Sequence, residues 1–148
     1  MKFSAKTRYA ARILLTLAYA GRDKPISTTT ISQQTGISQQ FVEQILRKFR
    51  LSGVTSSVRG AHGGHILACK PEDISFRCIV NLMEDGIRLA DCQSEEHGLC
   101  NHFASCQTRK VWEHAQITLE ETLENITIGS FSNCHMDENG KVICDISL

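Results

Sequence analysis

Three cysteines, Cys92, Cys100 and Cys106, fall within fifteen residues at the spacing C-x7-C-x5-C, with Gly98 between the first two. Thiolates spaced this closely in a polar loop bind soft metals or iron–sulfur clusters. His97 and His102 lie in the same stretch. Three cysteines and a histidine would also serve a structural zinc site, although the paired C-x2-C ligands usual there are missing. A third chemistry needs no metal: the thiols form disulfides and the protein responds to oxidant. No nucleophile–base arrangement is visible and the histidines are scattered through loops, so the sequence does not read as an enzyme.

Seven cysteines in 148 residues is high usage. No targeting segment is visible: the apolar stretch 13–21 is short, lies between Arg12 and Arg22, and neither spans a bilayer nor ends in a cleavage site. The expectation is a cytoplasmic protein with no membrane partner. Its thiols stay reduced there, and their clustering favours metal or redox chemistry over structural disulfides.

The cysteine loop separates two halves of opposite sign. Residues 1–70 carry eleven Lys/Arg against two Asp/Glu, and residues 71–148 carry five against fourteen, so a formal net charge of zero conceals +9 and −9. The basic half is the electrostatic footprint of a polyanion, most often nucleic acid. The acidic half suits protein contacts or regulation.

The elements that position these groups can be read from periodicity and caps. Tyr9, Ile13, Leu14 and Leu17 recur at helical spacing over residues 5–20, after Ser4 as N-cap and before Gly21 as stop. A short helix opens at Ser27 and ends at Gly36. A second, capped by Ser38, runs to about residue 52 and is closed by Gly53. Two short helices joined by a turn are the helix-turn-helix pattern. On the second, Phe41, Ile45, Leu46 and Phe49 form an apolar stripe, and Gln40, Glu43, Gln44 and Arg47 form the opposite one. An ordinary solvated face looks the same, but at this place in the motif long amide and guanidinium groups suit base edges in a major groove.

Residues 54–59 and 65–68 are β-prone runs around Gly60-Ala61-His62-Gly63-Gly64, a hairpin placed as a wing, with Arg59 available to phosphate or a narrow minor groove. Beyond Pro71, a short helix is expected over 75–84, the cysteine loop over about 90–106, and a long amphipathic helix over 105–128. The apolar stripe of that last helix is Trp112, Ala115, Leu119, Leu123 and Ile126. Such a stripe needs covering, and a second copy of the chain is the simplest cover. The fold class is thus mainly α with a small β-wing. Residues 1–70 form the DNA-binding domain, and residues 71–148 form the loop, a dimerisation helix and a polar tail.

Residues 3–10, the stretch from Gly36-Ile37-Ser38 to Glu43-Gln44-Ile45-Leu46, Ser56-Ser57-Val58-Arg59-Gly60 followed by Gly63-Gly64, and Leu123-Glu124-Asn125-Ile126-Thr127-Ile128-Gly129 resemble the IscR-type bacterial regulators. The resemblance covers the chain to about residue 131. It implies a winged helix-turn-helix homodimer on double-stranded, palindromic operator DNA. Ser38, Gln40, Glu43, Gln44, Arg47, Arg59, Gly60 and His62 are then the DNA-contacting residues. It further implies an iron–sulfur cluster, 2Fe-2S or 4Fe-4S, held by Cys92, Cys100 and Cys106. The pattern breaks at the fourth ligand. Arg109 stands where cluster-binding relatives carry histidine, and Arg8 where the nitric oxide sensors carry aspartate. His97, His102 and His114 read as surface histidines, Cys69 and Cys78 as small core residues. Cys134, His135 and Cys144 lie in a tail outside the pattern, and the expectation is against a second metal or redox site there.

Overall fold

A computed structural model describes residues 2–84, 86–90, 100–102, 105–131, 134–136 and 142–144, the last two segments as backbone strands. The chain runs α1 (Ala5–Ala20), α2 (Thr28–Thr35), α3 (Gln39–Leu51), β1 (Thr55–Val58), β2 (Gly64–Leu67), a 3-10 turn at Pro71–Asp73, α4 (Phe76–Met83), α5 (Arg109–Asn125), a second 3-10 turn at Ile128–Phe131, β3 (Cys134–Met136) and β4 (Val142–Cys144).

Serine hydroxyls start three of the helices, each accepting a backbone N–H that the first turn leaves without an intrahelical partner. Ser4 accepts from Thr7, Ser27 from Thr30, and Ser75 from Cys78. Gly36 ends α2 in the left-handed region at φ 69°, which turns the chain into α3 at little steric cost.

One core serves α1 to α4 and the wing. Ala10, Ile13, Leu14 and Leu17 project from one face of α1, at the spacing a single helical face requires. They meet Ile31 of α2, Val42, Ile45, Leu46 and Phe49 of α3, Leu67 of β2, and Ile79 and Met83 of α4. Val42 takes the core position that the sequence stripe gives to Phe41. Phe41 is half-buried at the core edge, with its ring edge-on to Tyr9 at a centroid distance of 5.7 Å.

β1 and β2 pair antiparallel, Thr55 opposite Leu67 and Val58 opposite Gly64. Ile26 adds a bridge to His65, with backbone hydrogen bonds in both directions at 3.0 and 2.8 Å. The wing is thereby tied to the residue that leads into α2.

The long helix is shorter than its sequence period predicts, Arg109–Asn125 rather than 105–128. It ends where Ile126 turns extended: the Ile126 carbonyl accepts the Phe76 N–H, and Thr127 bridges Ser75. Tertiary pairing overrides helix propensity there. Arg77 pairs with Glu120 at 2.8 Å and Ser75 donates to Glu124 at 3.0 Å, docking α5 on α4. No residue of α5 is buried within the protomer, and Val111, Trp112 and Ile117 are 60%, 45% and 53% exposed. Leu119 and Leu123 are half-buried. Among the described residues no helix is long and apolar enough to cross a membrane.

Candidate nucleic-acid interface and cysteine loop

With Val42, Ile45, Leu46 and Phe49 buried, the helical period forces Gln40, Glu43, Gln44 and Arg47 outward, and all four are exposed. Ser38 stands at the N-cap of α3 without a side-chain cap hydrogen bond and is also exposed. Its hydroxyl and the helix N-terminus present donors to an anion. On the wing, Arg59, Gly60 and His62 are exposed. All eight residues predicted for DNA contact therefore reach solvent, from one helix and the hairpin that follows it.

The wing base carries a residue that the sequence analysis did not single out. His65 of β2 is half-buried; its Nε2 lies 3.4 Å from the Thr28 hydroxyl, and its Nδ1 is buried without a hydrogen-bond partner. Burial pushes its pKa down, the nearby Arg50 charge adds to that, and Glu43 opposes it. These effects together disfavour the charged imidazolium at the wing base. Its position in an alternating strand was the available signal.

Of the loop cysteines, Cys92 lies outside the described residues, as does His97. Cys100 is an exposed free thiol, and Cys106 is a free thiol of intermediate exposure. Cys106 sits just ahead of Thr108, the N-cap of α5, with its Sγ 3.3 Å from the Thr108 hydroxyl. The Thr108 hydroxyl first and the Arg109 backbone N–H next lower its pKa; burial opposes them, and the Thr108 backbone N–H and the Arg109 charge lower it further. A thiol lowered in this way at a helix start has the chemistry of a metal-ligating or reactive thiolate.

The two positions at which the family resemblance would put a further ligand carry cations. Arg109 pairs with Glu113 at 3.1 Å, one turn along α5, and Arg8 is exposed on the first turn of α1. His102 and His114 are exposed. Among the described residues, no three His, Cys, Asp or Glu side chains gather closely enough to hold a metal ion. Cys69 and Cys78 pack against the core. Burial raises the Cys78 pKa, with Glu124 and Cys69 adding to the effect, so it is the opposite of a ready thiolate.

A helix-turn-helix with an exposed polar reading face and a hairpin tied beside it defines a winged helix-turn-helix transcriptional regulator. The chain belongs to the Rrf2 family, described as iron-dependent transcriptional regulators, whose profile matches residues 3–133. It is 36% identical over 128 residues to protein rrf2 of Nitratidesulfovibrio vulgaris, covering 86% of this chain and 85% of that one. Among solved structures it is similar to IscR of T. potens, with a TM-score of 0.70, 30% identity, and 87% and 84% of the two chains covered. It is also similar to CymR, the global cysteine regulator of B. subtilis, with a TM-score of 0.69, 25% identity, and 87% and 94% covered. These relatives place the chain among DNA-binding regulators of transcription and not among enzymes.

Proposed function

We propose that this regulator binds a palindromic operator as a homodimer, and that an iron–sulfur cluster on Cys92, Cys100 and Cys106 controls that binding. Residues 1–70 act as the DNA-binding domain and residues 71–148 as the sensing and dimerising part. One observation carries the reading: Cys106 lies just before α5, and no residue of that helix's apolar stripe is fully buried in its own protomer. A single helix thereby joins the candidate ligand to the candidate dimer interface.

The donor set fits a cluster in part. The Cys106 pKa is lowered, which favours its ligating form, and Cys100 is accessible; Arg8 and Arg109 supply no fourth ligand. Bound, the cluster would supply redox and iron-dependent lability. The protein's own residues do the rest. Arg59 enters the minor groove, where narrow A·T tracts concentrate negative potential. Gln40, Gln44 and Arg47 read base edges, and Glu43 accepts from cytosine while repelling phosphate. Ser38, Gly60 and His62 contact backbone. Two reading helices related by a two-fold axis then meet successive major grooves roughly 34 Å apart.

The test is anaerobic reconstitution followed by iron and sulfide counting, with operator affinity measured before and after the cluster is removed. Replacing any one of the three cysteines with Ala should abolish the visible absorption and the iron response, whereas Cys69→Ala and Cys78→Ala should keep both. The likeness to CymR, which has been solved in an oxidized form from Staphylococcus aureus, favours a second reading in which the same thiols switch without metal. Colourless protein whose DNA affinity still follows oxidant would establish that reading in place of the first.

A further inference from the structure

We propose that Cys134 and Cys144 form an intramolecular disulfide, a redox site separate from the loop cysteines. The two occupy directly opposed register positions in the antiparallel pair of β3 and β4, followed inward by His135 opposite Ile143 and Met136 opposite Val142. Opposed residues of an antiparallel pair have Cα atoms about 4.5–5.5 Å apart. A disulfide spans Cα separations of about 4.4–6.8 Å. A one-residue slip would put the two cysteines on opposite sides of the ribbon, so this register and no neighbouring one pairs them. The sequence between the strands includes Asn139-Gly140, a dipeptide that favours hairpin turns. An isolated ribbon with three residues per strand is marginal in water, and closing its ends covalently is a direct way to hold it. The family profile stops at residue 133, so the pair is a feature of this chain beyond the family's common part.

The oxidant is a low-molecular-weight disulfide such as oxidised glutathione. The Cys134 thiolate attacks one of its sulfurs, a mixed disulfide forms, and one small thiol leaves. The Cys144 thiolate then attacks the Cys134 sulfur and the second small thiol leaves. The two protons given up by the cysteines are taken by the two departing thiolates. The protein loses two electrons and the small disulfide gains two.

The sequence makes the product easy to read. Trypsin cleaves after Lys110 and Lys141, releasing residues 111–141 and 142–148, each with a single cysteine. The full chain, equilibrated in glutathione redox buffers, quenched with alkylating agent and digested without reductant, should yield these two peptides linked. The parent should run as a monomer on a non-reducing gel, and the link should form equally when Cys92, Cys100 and Cys106 are all replaced by serine. Ile143→Cys combined with Cys144→Ser, which moves the second cysteine one position out of register with Cys134, should lower the equilibrium constant against glutathione at least tenfold. The proposal is overturned by the absence of linked peptide in fully oxidising buffer, by a link found only in covalent dimers, or by an out-of-register variant that oxidises as readily as the parent.

Discussion

Glu84 and Ser4 are joined across eighty residues of sequence: the Glu84 carboxylate accepts the Ser4 backbone N–H at 2.9 Å. The same oxygen accepts the Thr7 hydroxyl. A negative group is thereby held at the N-terminus of α1, where the helix dipole favours it. Glu84 is the C-cap of α4, and from there the chain runs toward the cysteine segment. The entrance to that segment is thus fastened to the first turn of the helix on which the DNA-reading unit packs.

This bond predicts a pH dependence with a definite sign. The Thr7 hydroxyl first, and Ser4 next, hold the Glu84 carboxyl below its ordinary pKa of 4.5. A depressed carboxylate contributes stability that is fully present above that value and is lost as pH falls through the folded one. Because the group is partly exposed, the contribution should be under about 1 kcal/mol. Urea melts of Glu84→Gln should therefore show a small deficit at pH 7 that shrinks on acidification below pH 4.5. A deficit that stays constant down to pH 3 would mean the carboxylate is not what matters at this position.

The reading face and the wing should separate in their effects on DNA. Arg59→Ala should weaken operator binding by about tenfold or more and reduce the salt dependence, because one cation leaves the phosphate-lined groove. Glu43→Ala should change affinity less but narrow the gap between operator and random duplex, since one base contact is worth about 1–3 kcal/mol of discrimination. Fluorescence anisotropy at several salt concentrations checks both, and an Arg59→Ala variant matching the parent would remove the wing from the interface.

The incompletely covered stripe of α5 predicts an oligomeric state. Trp112→Glu combined with Leu119→Glu places two unpaired charges where the proposed partner helix packs, which is costly without compensating partners. Sedimentation velocity should show monomers. Circular dichroism should stay near the parent's, because neither side chain is in the buried core of the protomer. A dimer that survives both changes would place the interface off this stripe.

Gly64 should be intolerant of any side chain. A Cβ there would strike the Ile26 backbone, lying 2.9 Å from its nitrogen and nearer still to its carbonyl. Gly64→Ala should cost about 1–3 kcal/mol, the range for overpacking a tight contact. It should also loosen the wing, visible as faster hydrogen exchange at the His65 and Ile26 amides. Parent-like protection at those amides would show that the contact relaxes freely.

The helices and the wing were legible because their signals are local. Ser4, Ser27 and Ser75 are oxygen-bearing caps ahead of periodic apolar residues, Gly36 is a stop, and a glycine-rich run between β-prone segments is a hairpin. The outward placement of Gln40, Glu43, Gln44 and Arg47 followed from helical period alone. What escaped depends on distant partners. The Ile26–His65 bridge, the Ser75–Thr127 bridge that shortens α5, and the Glu84–Ser4 bond each join residues that no periodicity relates. The pairing of Cys134 with Cys144 likewise requires a register, and two cysteines with nine residues between them carry no sign of one until the strands are seen. Cys92 lies outside the described residues, so the geometry of the three-cysteine set rests on sequence spacing and on the placement of Cys100 and Cys106.

The double hydrogen bond between Ile26 and His65 has a mechanical meaning. A hairpin pinned at its base to the lead-in of α2 cannot swing by itself; it travels with the helices or not at all. Each DNA reader is therefore a fixed stamp. In the proposed dimer, a signal from the acidic half would then act on how far apart, and at what angle, the two stamps are held.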